Sequence, residues 1–262
     1  VDYLIQNSKD AMVLKQSYRV PSAIHQVAKQ CIGQVRSRIY KEWTPRKEKG
    51  MVRWEPTIEL ENMEEGDWLV LARTNYLLED IDDYCRNEGW FFEVKGRPSI
   101  SEAKVRAVIN WERLTKGKSI SLTECTNVLK FIKVANPKKL DMLDADLTLQ
   151  YQDLKTHFPD LPDGHWYDVF NLLSPKEISY IRAMLRRGEK ITKLPRIRLS
   201  TIHAAKGGEA TNVVLLTDIT NRVYKNYQQN PDDENRVFYV GVTRAKENLY
   251  LIEPKTTRCY QL

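Results

Sequence analysis

The sequence has little of several things, and each scarcity excludes a class. Only four cysteines occur in 262 residues: Cys31, Cys85, Cys125 and Cys259. No two stand as C-x-x-C and none has a histidine at metal-ligand spacing, so a disulfide scaffold and a Cys/His zinc site are both excluded. Cys31, Cys85 and Cys125 fall on apolar helical faces, where cysteine acts as a small hydrophobe, and a reducing cytoplasm is the expected compartment. With 11 Gly and 11 Pro the chain is neither collagen-like nor low-complexity. No run approaches the roughly 20 apolar residues of a membrane helix, and no basic-then-apolar leader opens the chain. It begins at Val1 without an initiator Met, as a piece of a longer protein would. A complete phosphate loop is missing too. Lys116-Gly117-Lys118-Ser119 has the G-K-S ending, but Glu112 stands where the first glycine is needed, and a helical segment precedes it instead of a strand. A basic turn between helices is the simpler reading.

What is present is a globular composition, with 42% hydrophobic residues, 29% charged and a mean hydropathy of −0.53, enough to build a core and too apolar for disorder. Lys and Arg outnumber Asp and Glu by 41 to 35, a balance of +6 that leans toward an anionic partner.

Hydrophobic spacing divides the chain into three regions. In the first, strands are expected over Ala11–Leu14, Met51–Trp54, Trp68–Ala72 and Trp90–Val94. Helical repeats run through Ile24, Val27, Ala28, Cys31, Ile32, Val35 and Ile39, and through Leu77, Leu78, Ile81, Tyr84 and Cys85, the second stopped by Gly89. Ser99-x-x-Glu102 has the form of a capping box opening a helix. From Lys116 to Lys193 the spacing is helical almost throughout, with helix starts at Ser121-x-x-Glu124 and Ser174-Pro175-x-Glu177. The last region returns to strands at Ile197–Ile202, Val213–Leu216 and Leu249–Ile252, with a helix over Glu234–Lys246. Alternating strands and helices on both sides of a helical stretch imply one α/β domain interrupted by an all-α insert.

Two strings near the C-terminus carry the chemistry. Ser200-Thr201-Ile202-His203-Ala204-Ala205-Lys206-Gly207-Gly208-Glu209 leaves a strand for a polar turn, setting a hydroxyl, an imidazole, a lysine and a carboxylate at a strand's C-terminal edge. Asp233-Glu234-Asn235-Arg236-Val237-Phe238-Tyr239-Val240-Gly241-Val242-Thr243-Arg244-Ala245-Lys246 puts an arginine on a helical face with Val237, Val240 and Gly241. Taken singly, each residue has an ordinary reading: a satisfied histidine, a surface lysine, a solvated arginine. As two ordered strings they resemble the fifth and sixth motifs of superfamily 1 DNA helicases of the UvrD/Rep/PcrA type. Leu14-Lys15-Gln16-Ser17-Tyr18-Arg19 resembles the fourth motif, with Ser17 where Asn is common, and Leu71-Ala72-Arg73-Thr74-Asn75 resembles the R-T-N segment that follows.

The resemblance implies a RecA-like parallel sheet flanked by helices, the second of two motor domains that hold ATP and Mg²⁺ between them. Residues 1–116 and 194–262 would form that domain, and 117–193 a short insert in the place of the family's 2B subdomain. Arg19 and Arg244 would reach the γ-phosphate, a task suited to a planar guanidinium fork. Tyr18 would lie against adenine and Glu209 would accept from ribose hydroxyls. Their plain alternatives are a half-buried core aromatic and a carboxylate capping a helix start. Arg73, Asn75, Thr201 and His203 would line a single-stranded DNA track, His203 as a hydrogen-bond donor. Arg46-Lys47-x-Lys49 and Arg186-Arg187-x-x-Lys190 read as solvated faces or loops, and Asp163-Gly164-His165-Trp166 as a turn. No metal ligands are expected. The function implied is the C-terminal portion of an ATP-dependent, 3′ to 5′ DNA helicase, inactive without its P-loop half. The rival is a degenerate helicase-like module that binds DNA or protein without ATP chemistry.

Overall fold

The computed structural model describes residues 15–38, 40–189, 191 and 194–262. The strand expected over Ala11–Leu14, the Ile39 position of the first helical repeat, and Lys190 and Lys193 lie outside the described residues. The elements begin with helix α1 (Ser22–Gly33), strands β1 (Met51–Glu55) and β2 (Trp68–Ala72), helix α2 (Glu79–Glu88) and strands β3 (Phe92–Val94) and β4 (Arg97–Pro98). Next come α3 (Glu102–Thr115), β5 (Ile120–Ser121), α4 (Leu122–Leu129), β6 (Thr148–Leu149), α5 (Tyr151–His157), α6 (Trp166–Val169) and α7 (Pro175–Arg187). The chain closes with β7 (Ile197–Thr201), β8 (Ala210–Leu216), α8 (Asn221–Gln229), α9 (Pro231–Val242) and β9 (Ala245–Ile252). None of these helices is long and apolar enough to cross a membrane.

The chain divides into two compact units, Val1–Tyr84 with Arg196–Leu262, and Cys85–Pro195. In the first, sheet strands stand in the order β1-β9-β8-β2-β7, every neighbouring pair parallel. The apolar runs explain the order. Trp68–Ala72 is buried at all five positions and Ala210–Leu216 at six of seven, as central strands covered on both faces must be. Helices flank this mostly parallel sheet, the α/β architecture of a RecA-like fold. The core joins Ile24, Ala28 and Cys31 of α1 to Phe238 and Val242 of α9 and to the central strands. Tyr260 stacks on Phe238 with ring centroids 3.9 Å apart.

Two expectations about this unit change. Helix α1 ends at Gly33, with Val35 buried just beyond it. Helix α9 starts at Pro231 and stops at Val242, because Ala245 is already paired with Ala210 in the sheet. Arg244 therefore sits in the turn between α9 and β9, not on a helical face.

The second unit begins at Cys85, earlier than the insert boundary expected at 117. The reason is α3, whose Val105, Val108, Trp111 and Leu114 are buried. The Trp111 indole N–H donates to the Gly164 carbonyl at 3.2 Å, and its ring meets Tyr151 and Phe170 edge-on. A helix whose partners lie fifty residues downstream folds with them. Ser121/Glu124 and Ser174/Glu177 both form the expected capping boxes, on α4 and α7. Ser99 does not cap. Helix α3 begins after Ser101, while the Ser99 hydroxyl accepts from the Phe92 N–H and bonds the Tyr180 hydroxyl at 2.6 Å. Lys116–Ser119 is a turn closing α3, with the Lys118 N–H on the Arg113 carbonyl. Arg187 is not solvated: it pairs with Glu88 at 2.7 Å and lies 3.8 Å over the Trp90 ring.

Candidate nucleotide edge and strand-end surface

Because the strands of the first unit are parallel, all of them begin at one edge of the sheet and end at the other. The sequence put Glu209 with Thr201 and His203 at a C-terminal strand edge. The fold separates them: the turn after β7 crosses the sheet, and Glu209 immediately precedes β8, at the edge where strands begin.

At that edge Arg19, Glu209 and Arg244 meet. Arg19 Nη1 lies 3.5 Å from Glu209 Oε2, and Lys246 Nζ lies 3.9 Å from Oε1 of the same carboxylate. Arg244 is 9% exposed. Its Nε donates to the Val240 carbonyl at 2.9 Å and its Nη1 to the Gly208 carbonyl at 3.1 Å. The guanidinium is thus held from two sides by main chain, one being the residue before Glu209. Burial, then the neighbouring Arg19 charge, pulls its pKa below the ordinary arginine value, with Glu209 opposing. Tyr239 stands near both arginines, yet burial outweighs their charges and raises its phenol. Three cations around one carboxylate leave a positive surplus, the condition for holding an anion.

The approach of Arg19 depends on a close contact behind it. Gly50 has φ +66°, and a Cβ there would fall 2.5 Å from Pro21 Cγ and 2.9 Å from the Glu247 carbonyl. Only glycine lets this loop pass under the segment that presents Arg19. Tyr18, beside it, is 87% exposed, so the core-aromatic reading is excluded. No helix starts at Glu209, which excludes a capping carboxylate as well.

At the opposite edge, Ala72 and Thr201 are in register at the ends of β2 and β7. Asn75 and His203 are exposed, and the Thr201 hydroxyl accepts from the Ala204 N–H at 3.2 Å, shaping its own turn. Arg73 is not offered to solvent. Its Nε and Nη2 make a bidentate pair with Glu234 at 2.6 and 2.8 Å. Two residues here escaped the sequence reading. Glu234 was visible only as part of a motif. Tyr76, 70% exposed directly after Asn75, lines a cleft of about 400 Å³ with Leu77, Leu216, Ile219 and Ile252. The signal for Tyr76 was a large aromatic four positions past a strand end. Among the described residues no three His, Cys, Asp or Glu side chains gather as a metal-binding set.

Residues 168–256 match the family model of the UvrD-like helicase C-terminal domain. The chain is 34% identical over 83 residues to the ATP-dependent DNA helicase Rep of Escherichia coli (strain K12), a match covering 30% of this chain and 12% of that helicase. A solved C-terminal domain of a possible DNA helicase from Lactobacillus plantarum WCFS1 aligns over 94% of this chain and 95% of its own at 14% identity. Its TM-score of 0.28 is too low to bear on fold or site. The family match includes Thr201, His203, Glu209 and Arg244, whereas Tyr18, Arg19, Arg73 and Asn75 lie outside it.

Proposed function

From a chain that carries a UvrD-like helicase C-terminal domain over residues 168–256, we infer the second motor domain of a superfamily 1 ATP-dependent DNA helicase. The observation that supports this best is the meeting of Arg19 and Arg244, 225 positions apart, around Glu209 (244 − 19). ATP with its Mg²⁺ is held mainly by a P-loop domain on the N-terminal side. Closure of the cleft brings the two guanidinium groups onto the γ-phosphate, where fixed donors stabilise the charge that spreads over its peripheral oxygens. Arg244 is pre-set for this by its two carbonyl contacts, so little reorganisation accompanies the reaction. Glu209 receives the ribose hydroxyls and Tyr18, already in solvent, covers the adenine. At the other edge, Asn75, Thr201 and His203 with Tyr76 support a single strand by hydrogen bonds and stacking, without reading base edges. Alternating grip then moves the protein 3′ to 5′, and residues 117–193, which lie within the second compact unit, occupy the place of the 2B subdomain.

The test has two arms. The isolated chain with single-stranded DNA is expected to show no ATP turnover. Joined to its P-loop half it turns over ATP, and Arg244→Ala abolishes that turnover while single-strand affinity stays within about twofold, because no DNA contact is removed. Turnover indifferent to Arg244→Ala in the joined protein would remove Arg244 from the ATP site, and no turnover at all would favour a binding module without ATP chemistry.

A further inference from the structure

We propose that Arg73 and Glu234 form a positioning clamp that ties the end of β2 to α9 and thereby fixes Arg244 at the opposite edge of the sheet. The inference rests on the role given above to Arg244; Arg73 is then a positioning residue and not a DNA contact.

The geometry of the pair comes first. Two parallel N–H···O bonds of 2.6 and 2.8 Å join side chains that are only 19% and 6% exposed. This uses the Nε–Nη2 edge of the guanidinium, one of the two flat edges by which a phosphate could be held. A DNA phosphate could claim it only by leaving the Glu234 carboxylate buried without its partner, a costly exchange. A buried ion pair adds little stability over a well-packed apolar pair, whereas it does specify a relative position. Nearby, the Thr74 hydroxyl and both polar atoms of the Asn235 amide have no partner among the described residues. The hold at this junction therefore falls to Arg73 and Glu234.

The clamp reaches Arg244 through α9. Its first turn is tied a second time, by the Asp232 carboxylate accepting from the Arg36 and Ser37 N–H groups, each at 3.0 Å. From Glu234 to Val242 the helix advances about 12 Å, too short to bend appreciably, and Arg244 follows two residues past its end. At its far end α9 presses on the sheet: a Cβ on Gly241 would stand 3.2 Å from Leu215 and 3.4 Å from Ile202. Arg244 Nε bonds the Val240 carbonyl of the last turn, so the guanidinium moves with the helix.

The experiment uses the full chain. The Nε–H of Arg244, observed by NMR of arginine side chains, is expected to exchange with water slowly. In Arg73→Lys and in the apolar double variant Arg73→Met/Glu234→Leu, that exchange should rise by about tenfold or more, while the amides of β8 keep their protection. Single-strand affinity and its salt dependence should stay unchanged, because no phosphate contact is lost. The reversed pair Arg73→Glu/Glu234→Arg should restore slow exchange. The proposal is overturned by unchanged Arg244 exchange in Arg73→Lys, or by a rise shared equally by β8, which would mark a purely structural pair. It is equally overturned by weaker DNA binding with a salt slope shallower by about one, which would mark Arg73 as a phosphate contact. If the double variant does not fold, Arg73→Lys decides. In the protein joined to its P-loop half, the clamp variants should lower kcat for ATP about tenfold with KM unchanged; wild-type kcat would count against the proposal. An inert Arg244→Ala in that protein marks failure of the motor reading instead.

Discussion

At the edge where β8 and β9 begin, charge is left over: Arg19, Arg244 and Lys246 surround the single carboxylate of Glu209. At the edge where β2 and β7 end, the strand-end arginine is already matched by Glu234, exposed Asn75, Tyr76 and His203 stand beside it, and the cleft at Tyr76 carries charges of both signs, Glu79, Asp80 and Asp218 with Lys255. Two edges of one sheet thus differ in kind. A positive surplus with main-chain-anchored donors suits a compact polyanion, and flat or neutral donors suit a strand held loosely enough to move. The difference also shows that an arginine in a helicase-like string is not free merely because it ends a strand.

The largest effect that would break this comparison belongs to Arg244. In the protein joined to its P-loop half, Arg244→Ala should cut ATP turnover by about 10³-fold or more, the usual contribution of an arginine finger, with Arg19→Ala in the same direction. Tyr76→Ala probes the other edge. It should weaken single-strand binding by about 1–3 kcal/mol, the usual contribution of one stacked base, and leave nucleotide affinity untouched. A Tyr76→Ala protein with full DNA affinity would remove stacking from the account of that edge. Gly50→Ala asks how far the nucleotide edge relies on its backing loop. Strain at φ +66° and the clash with Pro21 should destabilise the first unit by about 1–3 kcal/mol, read as a lowered unfolding midpoint in urea.

The smallest effect is one of pH. The N–H groups of Ser37, then Arg36, hold the Asp232 carboxyl below its ordinary range. The folded pKa is therefore the lower one. Its stabilisation is fully present above the unfolded carboxylate value of about 4 and is lost as pH falls through the folded value. Acid unfolding of the wild type should steepen in that window and flatten in Asp232→Asn. Identical slopes would free the start of α9 from this tie.

Much of the fold was legible because it rests on local pattern. The Ser121 and Ser174 caps follow from four-residue spacing, and the end of α2 from Gly89, whose φ is +74°. Ser99 shows the limit. Its spacing to Glu102 met the same rule, yet the hydroxyl went to Tyr180, 81 positions away. The same limit hid the state of Arg73, whose partner is 161 positions distant. Helix α3 shows the same limit: its apolar face was evident, but the rings that cover it come from later in the chain.

By itself the sequence determined the run of apolar strands, the alternation with helices and the ordered strings within residues 168–256 that match the UvrD-like helicase C-terminal domain model, because each depends on residues near one another in the chain. Only the tertiary structure decided that Arg19 and Arg244 share an edge, that Glu209 stands apart from His203, and that Arg73 belongs to Glu234. A charge is paired or free according to what lies within a few ångströms of it, and at separations of a hundred residues or more that distance is set by how the strands are ordered in the sheet.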